Sequence, residues 1–145
     1  MNVFLDTSSL FKLYHFEEGT AEMVNIFQNH VISGVFLSEI TKIEFDSVVW
    51  KKVRKSEIDT SKASIIIKNF EKDWVKYTFI EDDSELKMKA KKLVSKYGIE
   101  GLRTLDSIQL ATAIDIKTTT KFYKTADNLL QKLFKLENLP TEIRS

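Results

Sequence analysis

The chain of 145 residues contains no cysteine, a single proline and four glycines. Without cysteine there is no disulfide scaffold. So little proline and glycine leaves scant material for long loops, and most residues are expected in helices and strands joined by short turns. Apolar runs such as Ile65–Ile67 fall far short of the roughly 20 residues that span a bilayer. Met1–Asp6 has neither a basic leader nor a cleavable apolar segment, so a soluble, cytoplasmic chain with no membrane partner is expected. What is present is 43% hydrophobic and 30% charged residues. That balance excludes disorder and collagen-like repeats, and with no linker, repeat or low-complexity tract it predicts one domain over residues 1–145.

Charge of neither sign dominates: 22 Lys and Arg stand against 21 Asp and Glu, a net charge of +1. The distribution is uneven. Residues 1–50 carry only Lys12 and Lys42 against seven acids, whereas eight basic residues outnumber four acids from Lys51 to Tyr77. Lys87, Lys89, Lys91, Lys92, Lys96 and Arg103 form a second basic stretch. Such runs are either solvated helix faces or a rim attracting a polyanion around an acidic centre.

Periodicity predicts alternating strands and helices. Asn2–Leu5 reads as a strand ending at Asp6, with Thr7-Ser8-Ser9 as cap chemistry for a helix over Leu10–His15. A helix over Thr20–Asn29 and a strand at Val35–Leu37 follow, and Ser38 is expected to cap a long helix reaching Val53. A helix from Thr60 to about Lys76 precedes a strand at Tyr77–Ile80. The cluster Asp82–Glu85 suits the positive end of a helix that Gly98 stops. Thr104 opens a helix to Lys117, Thr120–Lys124 is a strand, and Ala126–Leu136 the last helix. This order means an α/β fold with a mainly parallel central sheet and helices on both faces.

In such a sheet function sits at the carboxyl ends of the strands. Asp6 and Asp127 both follow strands and can point into one crevice; for each, a helix cap is the competing explanation. Asp106 aligns at helical spacing with Leu102, Leu110 and Ala113, and Glu44 with Ile40 and Val48, several residues inside its helix. A carboxylate on a core-facing stripe needs a partner, and Lys and Arg are scarce near both. At ~6 Å and an effective dielectric of about 20, each like-charged pair repels by about 3 kcal/mol, which raises pKa values unless a cation intervenes. Oxygen-only ligands, with no Cys and two His, favour Mg²⁺ or Mn²⁺ over Zn²⁺. A carboxylate beside the hydrated ion can help generate the nucleophile for in-line attack on a phosphodiester.

The residues themselves resemble those of a known family. Val3-Phe4-Leu5-Asp6-Thr7-Ser8-Ser9-Leu10-Phe11-Lys12-Leu13-Tyr14 looks like the opening of PIN-domain nucleases: a strand ending in Asp, small hydroxyl residues, then a Lys-aliphatic-Tyr helix. Ser38-Glu39-Ile40-Thr41-Lys42-Ile43-Glu44 is similar to the second block of the family. Leu105–Ala113 resembles the third and Phe122–Leu130 the fourth, in order across nearly the whole chain. The resemblance implies a PIN-like three-layer fold and an endoribonuclease that holds Mg²⁺ or Mn²⁺ in an acid cluster, cutting RNA to leave a 5′-phosphate and a 3′-hydroxyl. Asp6, Glu44, Asp106 and Asp127 would be that cluster, Asp6 and Asp106 foremost as direct ligands. Ser8 and Thr125 match hydroxyl positions that support the acids or an inner-shell water. At this length the chain most resembles the VapC toxins of prokaryotic toxin–antitoxin pairs, which dimerise and are silenced by a small antitoxin.

Several competing readings carry less. His15 and His30 are isolated at helix ends or turns, which argues against metal-free acid/base ribonuclease chemistry. Asp6-Thr7-Ser8 lacks the second Asp of a haloacid dehalogenase phosphatase, and Asp82 and Asp83, though reminiscent of a receiver domain's pocket, are better explained as helix N-terminal charge. Trp50, Phe70, Trp74 and Tyr77 could stack bases, although aromatic residues at helical spacing belong more often to a core. A non-catalytic PIN-fold module for RNA or protein contact is the alternative function. Replaced acids would mark it, and none is replaced. Finally, Met23, Ile26, Phe27, Phe36, Phe45, Val49 and Trp50 exceed what one stripe buries, so this region is expected to form a dimer surface, a larger core being the competing explanation.

Overall fold

Side-chain alternation along four short apolar strands sets up two cores. On β1 (Asn2–Leu5) Val3 and Leu5 turn to one face and Phe4 to the other. On β2 (Gly34–Ser38) Val35 and Leu37 join Val3 while Phe36 packs with Phe4. On β4 (Phe122–Lys124) Phe122 and Tyr123 divide in the same way. Neither face is left to water, so the strands read as apolar runs, which is the signature of a parallel sheet. The computed structural model describes residues 1–144. With β3 (Thr78–Ile80) the strands form one all-parallel sheet in the order β3-β2-β1-β4. Phe4 lies beside Phe36 on one side and Tyr123 on the other.

The helices form the outer layers. Leu10 and Phe11 of α1 (Thr7–Phe11), Met23 of α2 (Thr20–Asn29), Phe45 and Val49 of α3 (Thr41–Arg54), and Ala63, Ile66 and Phe70 of α4 (Thr60–Asp73) cover the Val3 face. A 3₁₀ turn at Trp74–Lys76 leads into β3. The Phe4 face takes Leu86, Ala90 and Leu93 of α5 (Ser84–Tyr97), Ile108, Leu110 and Ala111 of α6 (Thr104–Asp115), and Leu130, Leu133 and Phe134 of α7 (Asn128–Leu136). The three-layer α/β architecture expected from the sequence is therefore present.

Four helices start with the same device: an extended Asp whose Oδ1 accepts the N–H three residues on. Asp6 holds Ser9 at 3.0 Å, Asp59 holds Lys62 at 2.7 Å, Asp83 holds Leu86 at 2.9 Å and Asp127 holds Leu130 at 2.8 Å. The acid just ahead of each start is the cap: α4 begins at Thr60 as expected, whereas α1 begins three residues before Leu10 and α7 two residues after Ala126. Ser38 is not a helix cap. It ends β2, because Glu39 N–H still bonds Ile80 O at 2.9 Å, and α3 starts only at Thr41. Gly98 does end α5 but in right-handed geometry, and the positive φ of +103° falls at Gly101.

The crowded apolar segment resolves as core. Met23, Phe45 and Val49 are buried, Ile26, Phe27 and Phe36 pack against the cores, and of that set only Trp50 stands exposed. Phe70, Trp74 and Tyr77 likewise pack together, with Phe70 against Phe45 at 4.2 Å between ring centres. Among the described residues no helix is long and apolar enough to cross a membrane.

Candidate active site

Chain order places a crevice at the carboxyl end of β1. From β1 the chain steps to β2 and β3 on one side and returns to β4 on the other, so the crossovers diverge above β1. A ligand crevice opens at such a point. Asp6 is the first residue beyond β1 there, and Thr125 the first beyond β4.

Asp6 is 4% exposed, and among the described residues no Lys, Arg or His side chain bonds it. Its oxygens are held by neutral donors. Thr125 Oγ1 donates to Oδ2 at 2.6 Å, Ser8 Oγ stands 2.9 Å from both oxygens, and Ser9 N–H and Oγ reach Oδ1 at 3.0 and 2.9 Å. Ser8 Oγ also accepts Ala126 N–H at 3.0 Å, and Thr125 Oγ1 accepts Asp127 N–H at 3.0 Å. Ser8 and Thr125 thus tie the end of β1 to the loop carrying Asp127.

Glu44 is half-buried, and its Oε1 accepts from Thr7 Oγ1 at 2.9 Å and from Gln109 Nε2 at 2.7 Å. Gln109 is 2% exposed and also reaches Thr41 Oγ1 at 3.0 Å and Thr7 Oγ1 at 3.2 Å. Asp106, one helical turn before Gln109, is half-buried beside buried Leu102, Leu110 and Ala113. Because α3 begins at Thr41 and α6 at Thr104, both Glu44 and Asp106 lie in the first turn of their helices, Glu44 nearer the N-terminus than a cap at Ser38 implies and Asp106 where the sequence places it. The partial positive charge of those ends favours carboxylates there.

The four acids feel one another. Burial first, then the charges of Asp127 and Asp6, push the Asp106 carboxyl up from the ordinary range, with Arg103 opposing. Burial and the charges of Asp6 and Asp106 push Glu44 up against the bonds from Gln109 and Thr7. Burial pushes Asp6 up although its hydroxyl and amide donors pull the other way. Among the described residues no Lys, Arg or His forms an ion pair with any of the four. Nor do three acidic or imidazole side chains close into a ready-made metal cage there. The array is open, oxygen-only and short of positive charge. Such a donor set fits a hard divalent ion that keeps most of its waters and takes few carboxylates directly.

Thr7, Ser9, Thr41 and Gln109 belong to this site and were not singled out from the sequence as partners of the acids. Gln109 carried a usable signal: an amide inside the apolar run Ile108–Ala113, three residues after an acid. The basic stretches divide: Arg103 bears on the Asp106 charge, while others stand away from the acids or in pairs of their own. Lys51–Lys55 fall at the far end of α3, roughly 10–16 Å along the helix from Glu44. Lys52 bridges Glu17 at 3.2 Å and Glu57 at 3.0 Å. Lys89 and Lys96 pair with Asp115 and Glu137.

Fold and site together define a three-layer α/β protein with an acidic centre at the carboxyl ends of its strands. Residues 3–133 match the model of the PIN domain, and the chain belongs to that family. Three solved structures are similar. A sarcin–ricin-loop-cleaving toxin of Mycobacterium tuberculosis, VapC20, shares 12% identity over 90% of this chain and 94% of its own, with a TM-score of 0.68. VapBC2 of Rickettsia felis, bound to a DNA fragment from its promoter, shares 14% identity over 98% of each chain, with a TM-score of 0.62. The protein PAE2754 of Pyrobaculum aerophilum shares 17% identity over 95% of this chain and 90% of its own, with a TM-score of 0.55. At these identities the likeness is one of fold. A search of curated proteins finds no match.

Proposed function

We propose that the protein, a single PIN domain over residues 1–145, is a cytoplasmic Mg²⁺- or Mn²⁺-dependent endoribonuclease acting as the toxin of a toxin–antitoxin pair. The observation that supports this reading is electrostatic: burial opposes the charges of Asp6, Glu44 and Asp106, which come from three separate segments, and Asp6 and Asp127 bear on Asp106 as Asp6 and Asp106 bear on Glu44. A protein stable in spite of such repulsion gains most when a divalent ion arrives. Asp6 and Asp106 would hold the ion directly, with Glu44 and Asp127 reaching its water shell. When bound, the ion supplies charge stabilisation for the phosphodiester in flight and lowers the pKa of a water.

The chain's own residues do the rest. Ser8, Ser9 and Thr125 fix Asp6 in one rotamer, and Thr7, Thr41 and Gln109 orient Glu44, so ligand geometry is set before substrate arrives. Glu44, outside the pair of direct ligands, is suited to accept the proton of the attacking water. The similarity in fold to toxins also supports two protein partners, a second copy of the chain and a small antitoxin. Ile43 and Trp50, exposed two turns apart on the outer face of α3, are available to such a contact.

Induction of wild type and Asp6→Ala side by side in a bacterial host tests the reading. Growth arrest with degraded RNA is expected for wild type alone; equal growth with intact RNA in both would move the function to the non-catalytic module. Light scattering at high micromolar concentration should give twice the monomer mass, and a monomer there removes the homodimer.

A further inference from the structure

A cavity of about 420 Å³ opens beside the acidic crevice, lined among others by Ser9, Lys12, Gly19, Glu22, Lys124 and Asn128. It lies within the ~300–1,000 Å³ range of small-ligand pockets. Its wall is shared with the acids. Ser9 Oγ stands 2.9 Å from Asp6 Oδ1 and 2.8 Å from Lys124 O, and Thr125, next after Lys124, donates to Asp6. Two lysines line the cavity, and the surroundings of their ammonium groups differ. Lys12 Nζ is fixed by Glu17 Oε2 at 3.0 Å and Glu18 O at 2.7 Å, its side chain 15% exposed. Its stem crosses Gly19, where φ is +94° and a Cβ would stand 2.9 Å from Lys12 Cδ. Lys12 is frame.

Lys124 is built otherwise. Its side chain is 21% exposed, and its Nζ meets Glu22 Oε1 at 2.7 Å, while Glu22 itself is 61% exposed and makes no other ion pair among the described residues. The ammonium is therefore held at the cavity wall by the body of the fold, and its partner is a carboxylate reaching in from solvent on α2. An exposed pair of this kind contributes little to stability, so exchanging its anion costs little. We propose that this cavity seats the RNA nucleotide next to the scissile phosphate, with Lys124 as its phosphate contact and Glu22 as a resident competitor that the phosphate displaces. The inference rests on the ribonuclease reading above. It makes affinity for RNA depend on two residues with opposite sign.

Total bacterial RNA treated with wild type and Mg²⁺ supplies a cleavage site, and a fluorescein-labelled oligoribonucleotide copied from that site is the probe for steady-state kinetics. Lys124→Gln should raise KM severalfold, with kcat moving much less, and should lower the salt slope of log affinity by about one, as loss of one phosphate contact requires. Glu22→Gln should lower KM severalfold. A salt bridge that merely pins α2 to β4 predicts slightly lower melting temperatures for both and an unmoved KM. Cleavage by wild type with KM unchanged in both variants, or moved in the same direction, overturns the subsite and leaves the ribonuclease reading standing. Glu22 is exposed, so Glu22→Gln folds even if Lys124→Gln does not, and the sign of its effect alone decides. No cleavage of total RNA by wild type overturns the ribonuclease reading, and this proposal with it.

Discussion

At the scale of the residue, the same carboxylate is both liability and instrument. Asp106 has no hydrogen-bond donor among the described residues, and Asp127 and Asp6 repel it. Asp106→Asn should therefore raise the melting temperature in EDTA at neutral pH while abolishing cleavage. The sign follows from linkage. A carboxyl raised in the folded state binds more protons there than in the unfolded chain, so stability falls as pH rises through the interval above its ordinary value of 3.8. Lowering the pH toward 4 should close the gap between wild type and variant, which scanning calorimetry at a series of pH values reads directly. A gap that widens on acidification would mean that Asp106 is ion-paired. Gln109 has the opposite role, since its amide stabilises the Glu44 charge. Gln109→Leu should cost about 2–3 kcal/mol in urea unfolding, the loss of a buried hydrogen bond to a charged group. A loss below about 0.5 kcal/mol would show that Thr7 alone suffices for Glu44.

At the scale of the element, a helix cap and a proposed metal-site acid coincide in Asp127. Asp127 caps α7 through Oδ1, as Asp83 caps α5, and only Asp127 also faces Asp106. Asp127→Ala should lose about 1 kcal/mol of stability together with activity; Asp127→Asn should keep most of the cap and still lose activity. Asp83→Ala should show the stability loss alone. Activity retained in Asp127→Asn would leave Asp127 a cap and nothing more. This double duty explains what was legible in the sequence. The order of strands and helices could be read, because apolar runs such as Val35–Leu37 and helix-end signals such as the Asp82–Glu85 cluster announce themselves. The starts of α1, α3 and α7 differ from the sequence expectation by two or three residues, since Asp6 and Asp127 cap their helices and Ser38 extends a strand. Thr7, Thr41 and Gln109 stayed hidden because their roles arise only when α1, α3 and α6 meet, a contact between residues up to 102 positions apart.

At the scale of the whole molecule, the basic run Lys51–Lys55 does not gather around the acids, whereas Arg103 of the second basic stretch does bear on Asp106. α3 runs away from the crevice, which carries Lys51–Lys55 to its far end, and Lys52 is spent on Glu17 and Glu57. Lys52→Ala should cost about 1 kcal/mol and leave RNA affinity unmoved, checked by urea unfolding beside fluorescence anisotropy; weakened RNA binding without a loss of stability would return that face to the substrate. Most of the crowded apolar segment Met23–Trp50 enlarges the core, so what it leaves for a dimer contact is the exposed pair Ile43 and Trp50 on α3. Divalent ion should stabilise the entire fold, because it cancels repulsion among segments that lie far apart in sequence. The melting temperature should rise with Mg²⁺ in wild type and rise less in Asp106→Asn.

The central claim is that these four acids form a metal-dependent centre for cutting RNA. Its most direct test is denaturing electrophoresis of total RNA after incubation with purified, antitoxin-free wild type and Asp106→Asn, each with Mg²⁺, with Mn²⁺ and with EDTA. The account predicts discrete fragments ending in 5′-phosphate from wild type with either ion, none with EDTA, and none from the folded Asp106→Asn variant under any condition. Intact RNA from wild type at every metal concentration, or equal fragmentation by the variant or in EDTA, would contradict it.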